Sequence, residues 1–111
     1  MAIETKQDGN TTLVSVSGRL DGVTAPEYNK AIQQLVDGGA TRIVVDLQEL
    51  SYISSVGLRE LVITAKLLKE KDGRFGVANV RGNVNSVFEI CGIGKMLNMY
   101  PSVADAIAAL A

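Results

Sequence analysis

Residues 42–47 read RIVVDL, a short, nearly unbroken apolar run closed by Asp46 and Leu47. Such a run leaves no polar face for water, and it suits a strand covered on both sides, as in a parallel or mixed sheet. The flanking sequence supplies the helices that such a sheet needs. Thr24 opens the first: T-A-P-E places Glu27 three residues on, a capping-box spacing, with Pro26 in the first turn. Tyr28, Ala31, Ile32, Leu35 and Val36 then form one apolar stripe, which Gly38-Gly39 ends. A second helix runs to about Lys71 on the stripe Leu58, Leu61, Val62, Ala65 and Leu68. Arg59, Glu60, Lys66 and Lys69 lie outside that stripe, and the lysines gather where the helix dipole favours cations. Val84, Val87, Phe88 and Cys91 repeat the helical spacing until Gly92, and Ser102 with Asp105 gives a last helix its capping-box start.

Between these helices lie the remaining strands. Residues 2–7 and 12–17 flank an Asp8-Gly9-Asn10 turn, with Val14 and Val16 opposed to Ser15 and Ser17, as in a hairpin with one solvated side. Residues 18–22 (GRLDG) break the second strand, and residues 74–80 and 96–100 read as two more. Strands alternating with helices imply an α/β fold, a mixed β-sheet of about five strands with helices mainly packed on one face. The 111 residues suit one domain spanning 1–111. With 5% aromatic residues and no Trp, its core must be aliphatic.

Composition removes several chemistries. The chain has no His, which excludes Ser-His and Cys-His nucleophile pairs and imidazole metal sites. Its single Cys, Cys91, forms no internal disulfide and fits a reducing compartment; on an apolar helical face it is expected to be a buried, inert thiol. Eleven basic against twelve acidic residues give no footprint for nucleic acid or a membrane surface. The polar start MAIETKQDGN carries no signal region, so a cytoplasmic protein is expected. Gly92-Ile93-Gly94-Lys95 fails as a phosphate loop: Glu89 stands where the first Gly belongs and Met96 where Ser or Thr belongs. Asp21 and Asp46 each follow a strand end, but two acids without further ligands read as turn or capping residues before acid–base or Mg²⁺ chemistry. No cofactor, no metal and no catalytic residue are expected, and a nucleotide-binding or hydrolytic protein built on those two acids finds little support.

The segment Tyr52-Ile53-Ser54-Ser55-Val56-Gly57-Leu58 is different. An apolar run passes directly into an amphipathic helix through two serines, and Ser is among the best N-cap residues. A hydroxyl there lies near the surface beside free N–H groups, and a phosphate added there, with roughly −1.5 to −2 charges, meets the positive end of the dipole.

With this segment the chain resembles a STAS domain, the family of anti-sigma factor antagonists and sulfate-transporter C-terminal domains. The resemblance rests on VSVSGRLD (14–21), RIVVDLQELSYISSVGLREL (42–61), FGVANV (75–80) and CGIGKMLNMYPSVADAIAAL (91–110). It implies a non-catalytic protein switch. Unmodified, such an antagonist binds an anti-sigma factor that is also a GHKL-type serine kinase, and frees a sigma factor; a metal-dependent serine phosphatase reverses the modification. The resemblance implies Ser55 as phospho-acceptor, with Ser54, often Asp in the family, as the lesser alternative. It also matches Asp21 and Asp46 to family aspartates, and implies a partner-binding set of Asp21, Asp46, Ser54, Ser55, Gly57 and Leu58. A constitutive adaptor, as in a stressosome or lipid-transport complex, is the second reading; Ser55 would then only cap the helix. If the strands run parallel, the 18–24 loop and the 54–58 turn share one edge of the sheet.

Overall fold

RIVVD forms strand β3 (Arg42–Asp46) at the middle of the sheet, and its side chains serve both faces. In the computed structural model, which describes residues 1–111, the elements around it run β1 (Ala2–Asp8), β2 (Thr11–Leu20), α1 (Ala25–Asp37), β3, β4 (Leu50–Ile53), α2 (Ser55–Glu70), β5 (Arg74–Ala78), α3 (Gly82–Cys91), β6 (Met99–Tyr100) and α4 (Val103–Leu110). The strand order is β1-β2-β3-β5-β6, with β4 paired to β2. Only β1 and β2 are antiparallel; Val14 lies beside Val45, and Val45 beside Val77, in parallel register. The sheet is therefore mixed, as the alternating pattern implied, and short β4 brings it to six strands.

Ile43 and Val45 point into the larger core, where they join Tyr28, Ile32 and Val36 of α1, Leu58, Leu61 and Leu68 of α2, and Val84 and Phe88 of α3. Val44 points the other way, onto Ala78 and onto Ala106 and Leu110 of α4. Three helices thus cover one face and α4 covers part of the other. Burying a side chain of this size stabilises the fold by roughly 1.5–3 kcal/mol. One polar bond crosses the larger core, between the Tyr28 and Thr64 hydroxyls at 2.8 Å, linking α1 to α2. Burial pushes the Tyr28 hydroxyl well above its ordinary pKa, so it stays neutral.

Several expectations change on the folded chain. Gly18 does not end β2. At φ 83° it makes a bulge where the register shifts, and the strand continues to Leu20. The first half of β2 pairs with β3 and the second with β4, where Leu20 lies beside Ile53. A glycine reads as a breaker in sequence because only the pairing partner shows whether it stops a strand or bends it. Strand β5 stops at Ala78, followed by Asn79 at φ 61°, and β6 shrinks to Met99–Tyr100 because residues 96 and 97 still turn after the 3₁₀ helix Ile93–Lys95. Gly92, at φ 65°, caps α3, in keeping with a helix end in place of a phosphate loop. Cys91 is exposed, contrary to the buried thiol expected, because α3 turns only Val84 and Phe88 fully inward and its last residue overhangs the core.

Candidate functional site

The two serines do different jobs. Ser54 is the N-cap of α2: its backbone is extended (φ −94°, ψ 174°) and its hydroxyl accepts the Gly57 N–H at 3.3 Å. The Ser54 N–H donates to the Leu20 carbonyl at 3.0 Å, and its own carbonyl accepts from Leu58 at 2.9 Å. Ser54 is consequently engaged on three sides. Ser55, the first helical residue, is exposed and its hydroxyl makes no hydrogen bond within the chain. The idea that Ser55 serves only as a cap is corrected: Ser54 caps, and Ser55 is free of that work.

Gly57 fixes the turn against the sheet. A Cβ at this position would lie 2.5 Å from the Leu20 carbonyl oxygen and 2.8 Å from Ile53 Cγ1. No side chain fits between α2 and the end of β2. Leu58, 2% exposed, drives into the core beside it. Both residues were expected in the partner-binding set; Gly57 shapes the turn, and Leu58, almost wholly buried, reaches the surface only at the groove beside Ser55.

Asp21 organises the adjoining loop. Its Oδ1 accepts the N–H groups of Val23 at 3.0 Å and Thr24 at 3.2 Å, while Arg19 Nε stands 3.6 Å from Oδ2. The Thr24 N–H is the main cause of a carboxyl held below its usual range; partial desolvation opposes it, and the Val23 N–H, the Thr24 hydroxyl and Arg19 assist. Thr24 donates its hydroxyl to the Arg19 carbonyl at 2.9 Å and accepts the Asp21 N–H at 3.0 Å. Its backbone is already helical (φ −94°, ψ −16°), so the capping box expected with Glu27 does not form; Thr24 belongs to the loop instead. The Arg19 guanidinium lies 4.2 Å from the centre of the Tyr52 ring, joining β2 to β4. The loop and the Ser54–Ser55 turn therefore meet at the paired ends of β2 and β4, and Val23, 87% exposed, stands out from the loop.

Asp46 is not brought to this place. It lies at the end of β3 on the α4 side of the sheet, where its Oδ1 accepts from the Gln48 N–H at 3.0 Å and from Asn79 Nδ2 at 2.9 Å. The two acids are alike in sequence and organise separate turns.

Sequence reasoning missed the other flank of the site. An open, apolar groove of about 260 Å³ runs beside Ser55, lined by Leu58, Arg59 and Val62 of α2 and by Cys91, Ile93 and Met96 from the end of α3 and the turn after it. Met96 is 59% exposed there. Its signal in sequence was the apolar content of GIGKM, where 92–95 read as a helix end and Met96 as the start of a strand. A larger, polar cavity of about 620 Å³ lies at the opposite edge, around Thr12, Gly38, Gly39 and Arg42, away from both serines. No cluster of three or more Cys, Asp or Glu is placed to hold a metal ion, and no helix is long and apolar enough to cross a membrane.

Comparison with known proteins bears on this arrangement. The STAS domain family model matches residues 2–106. The anti-sigma-B factor antagonist of Staphylococcus aureus is 31% identical over 97 residues, which cover 87% of this chain and 90% of that one. The crystal structure of an anti-sigma factor antagonist from Mycobacterium paratuberculosis superposes with a TM-score of 0.89 at 33% identity, covering 98% of this chain and 92% of that one. The Bacillus cell fate determinant SpoIIAA, solved in a phosphorylated form, shares the fold at a TM-score of 0.73 and 21% identity, covering 99% of this chain and all (100%) of that one.

Proposed function

The chain belongs to the STAS domain family, and from that premise we propose that it is an anti-sigma factor antagonist switched by phosphorylation of Ser55. The observation that carries this is the division of labour at the turn: Ser54 is tied into the fold, while Ser55 offers an unengaged, exposed hydroxyl at the first residue of α2. Unmodified, the domain binds an anti-sigma factor through the surface around Ser55 and the 18–24 loop, and releases a sigma factor. The anti-sigma factor is also a GHKL-type serine kinase. It moves the γ-phosphoryl of ATP to Ser55 Oγ; the new O–P bond forms as the bond to the bridging oxygen breaks, ADP leaves, and the hydroxyl proton passes to the kinase. A metal-dependent phosphatase restores the free serine. The domain itself catalyses neither step and acts in the cytoplasm.

Phosphate at a helix N-terminus suits the dipole, which is worth only about 0.3–1 kcal/mol to a nearby charge. The fold therefore keeps its shape, and binding is lost because a partner pressed onto the turn must desolvate the new charge or meet like charge. Asp21 contributes by holding the loop that shares this surface, and Asp46 ties the end of β3 to Asn79 after β5. Incubation with the cognate kinase and ATP, followed by mass mapping, tests the assignment: phosphate on Ser55 that disappears in Ser55→Ala is expected. Modification confined to Ser54 overturns it.

A further inference from the structure

Ser55 and Arg59 stand one helical turn apart on α2, a spacing that puts side chains on one face with Cβ atoms about 5–6 Å apart. They line the same groove, so they project to the same side. Both are exposed, and Arg59 has neither an ion-pair nor a hydrogen-bond partner within the chain. The other arginine at this edge, Arg19, is committed to Asp21 at 3.6 Å and to the Tyr52 ring. Glu60, next to Arg59, accepts a hydrogen bond from Asn29 of α1 at 3.2 Å. Across the groove stand Cys91, Ile93 and Met96, so no carboxylate there competes for the guanidinium.

We propose that Arg59 is the counter-ion of a phosphate on Ser55. The proposal rests on the reading of Ser55 as the acceptor and adds what holds the phosphate once it arrives. In an i, i+4 pair the favourable order places the anion toward the helix N-terminus, which is the order here. A guanidinium matches two phosphate oxygens with parallel N–H bonds, a geometry that an ammonium lacks. The pair fixes the phosphate along α2, beside the groove, and gives the modified turn one defined shape.

The test places phosphoserine at position 55 during translation, so no kinase is required, and follows its ³¹P resonance against pH. A nearby cation favours the dianion, and its removal raises the second phosphate pKa. The phosphate in Arg59→Gln is expected to titrate roughly 0.2–0.4 pH units higher than in the parent. Arg59→Lys recovers part of the difference, Arg19→Gln leaves the titration unchanged, and about 1 M salt removes the effect. Arg59 is exposed, so these variants fold. An identical titration in Arg59→Gln and the parent overturns the proposal, as does an effect of Arg19→Gln alone. Kinase mapping that finds only Ser54 overturns the acceptor assignment while leaving this titration unaffected, so the two failures are distinct.

Discussion

Helices α2 and α4 start with the same device: a serine in extended backbone whose hydroxyl accepts the N–H of the third helical residue, Ser54 from Gly57 and Ser102 from Asp105. The third residue then separates them. Asp105 is exposed, and its carboxylate complements the dipole at an ordinary surface cap. Gly57 is pressed against the Leu20 carbonyl, and the first turn of α2 holds no acid. The residue after the cap differs too: Val103 is half-buried, whereas Ser55 is exposed. Identical capping chemistry thus closes one helix and leaves the other pinned to the sheet with a free hydroxyl beside the pin.

Substitution at the third residue should break this likeness most visibly. Gly57→Ala drives a methyl into backbone and is expected to cost about 3 kcal/mol in urea unfolding, against under about 1 kcal/mol for Asp105→Ala. Equal losses would mean that α2 is not pinned. The caps come next: Ser54→Ala and Ser102→Ala should each cost about 1 kcal/mol, and a much smaller loss for Ser54 would refute its role as cap.

A smaller effect, visible only against pH, belongs to the loop that α2 has beside it and α4 lacks. The carboxyl of Asp21 is held below its usual pKa, so the folded chain gains stability while that group is ionised. The gain is fully present above the unfolded value, about 4, and fades as pH falls through the lowered folded value. The stability gap between the parent and Asp21→Asn should therefore be widest near neutrality and close in acid; a gap independent of pH would contradict the bonding described. Asp21→Ala, measured for both unfolding and partner binding, separates scaffold from interface: weaker binding at preserved stability places the loop in the contact. Smallest of all is Ser55→Ala, expected to change stability by no more than about 0.5 kcal/mol while abolishing modification.

Periodicity revealed the helices and most strands because burial on one face imposes the pattern directly; the stripes of α1 and α2 land in the core with Tyr28, Ile32, Leu61 and Leu68. The Ser102 start of α4 was equally plain, since a cap depends on neighbours three residues away. What depends on distant pairing was not. Gly18 became a bulge only because β4 lies alongside. Thr24 lost its capping role to Asp21 and Arg19, and the choice between Ser54 and Ser55 as cap waited on where Leu20 sits. Asp21 and Asp46 both accept an N–H two residues on, and only the fold shows that Asp46 also takes the side-chain amide of Asn79, distant in sequence. Cys91 and Met96 join Ser55 along the groove through tertiary packing that no local spacing records.

The carbonyl of Leu20 receives the Ser54 N–H and also forms the wall that Gly57 abuts, so the turn is assembled from segments far apart along the chain. A peptide spanning both serines carries the hydroxyls without the geometry. An enzyme that demands this geometry therefore discriminates between finished and unfinished molecules: a chain still emerging from the ribosome, or one opened by heat, offers it no substrate. With Ser55 as the proposed acceptor, the modified pool would be drawn from intact copies alone, a built-in inspection of the carrier by its own modification.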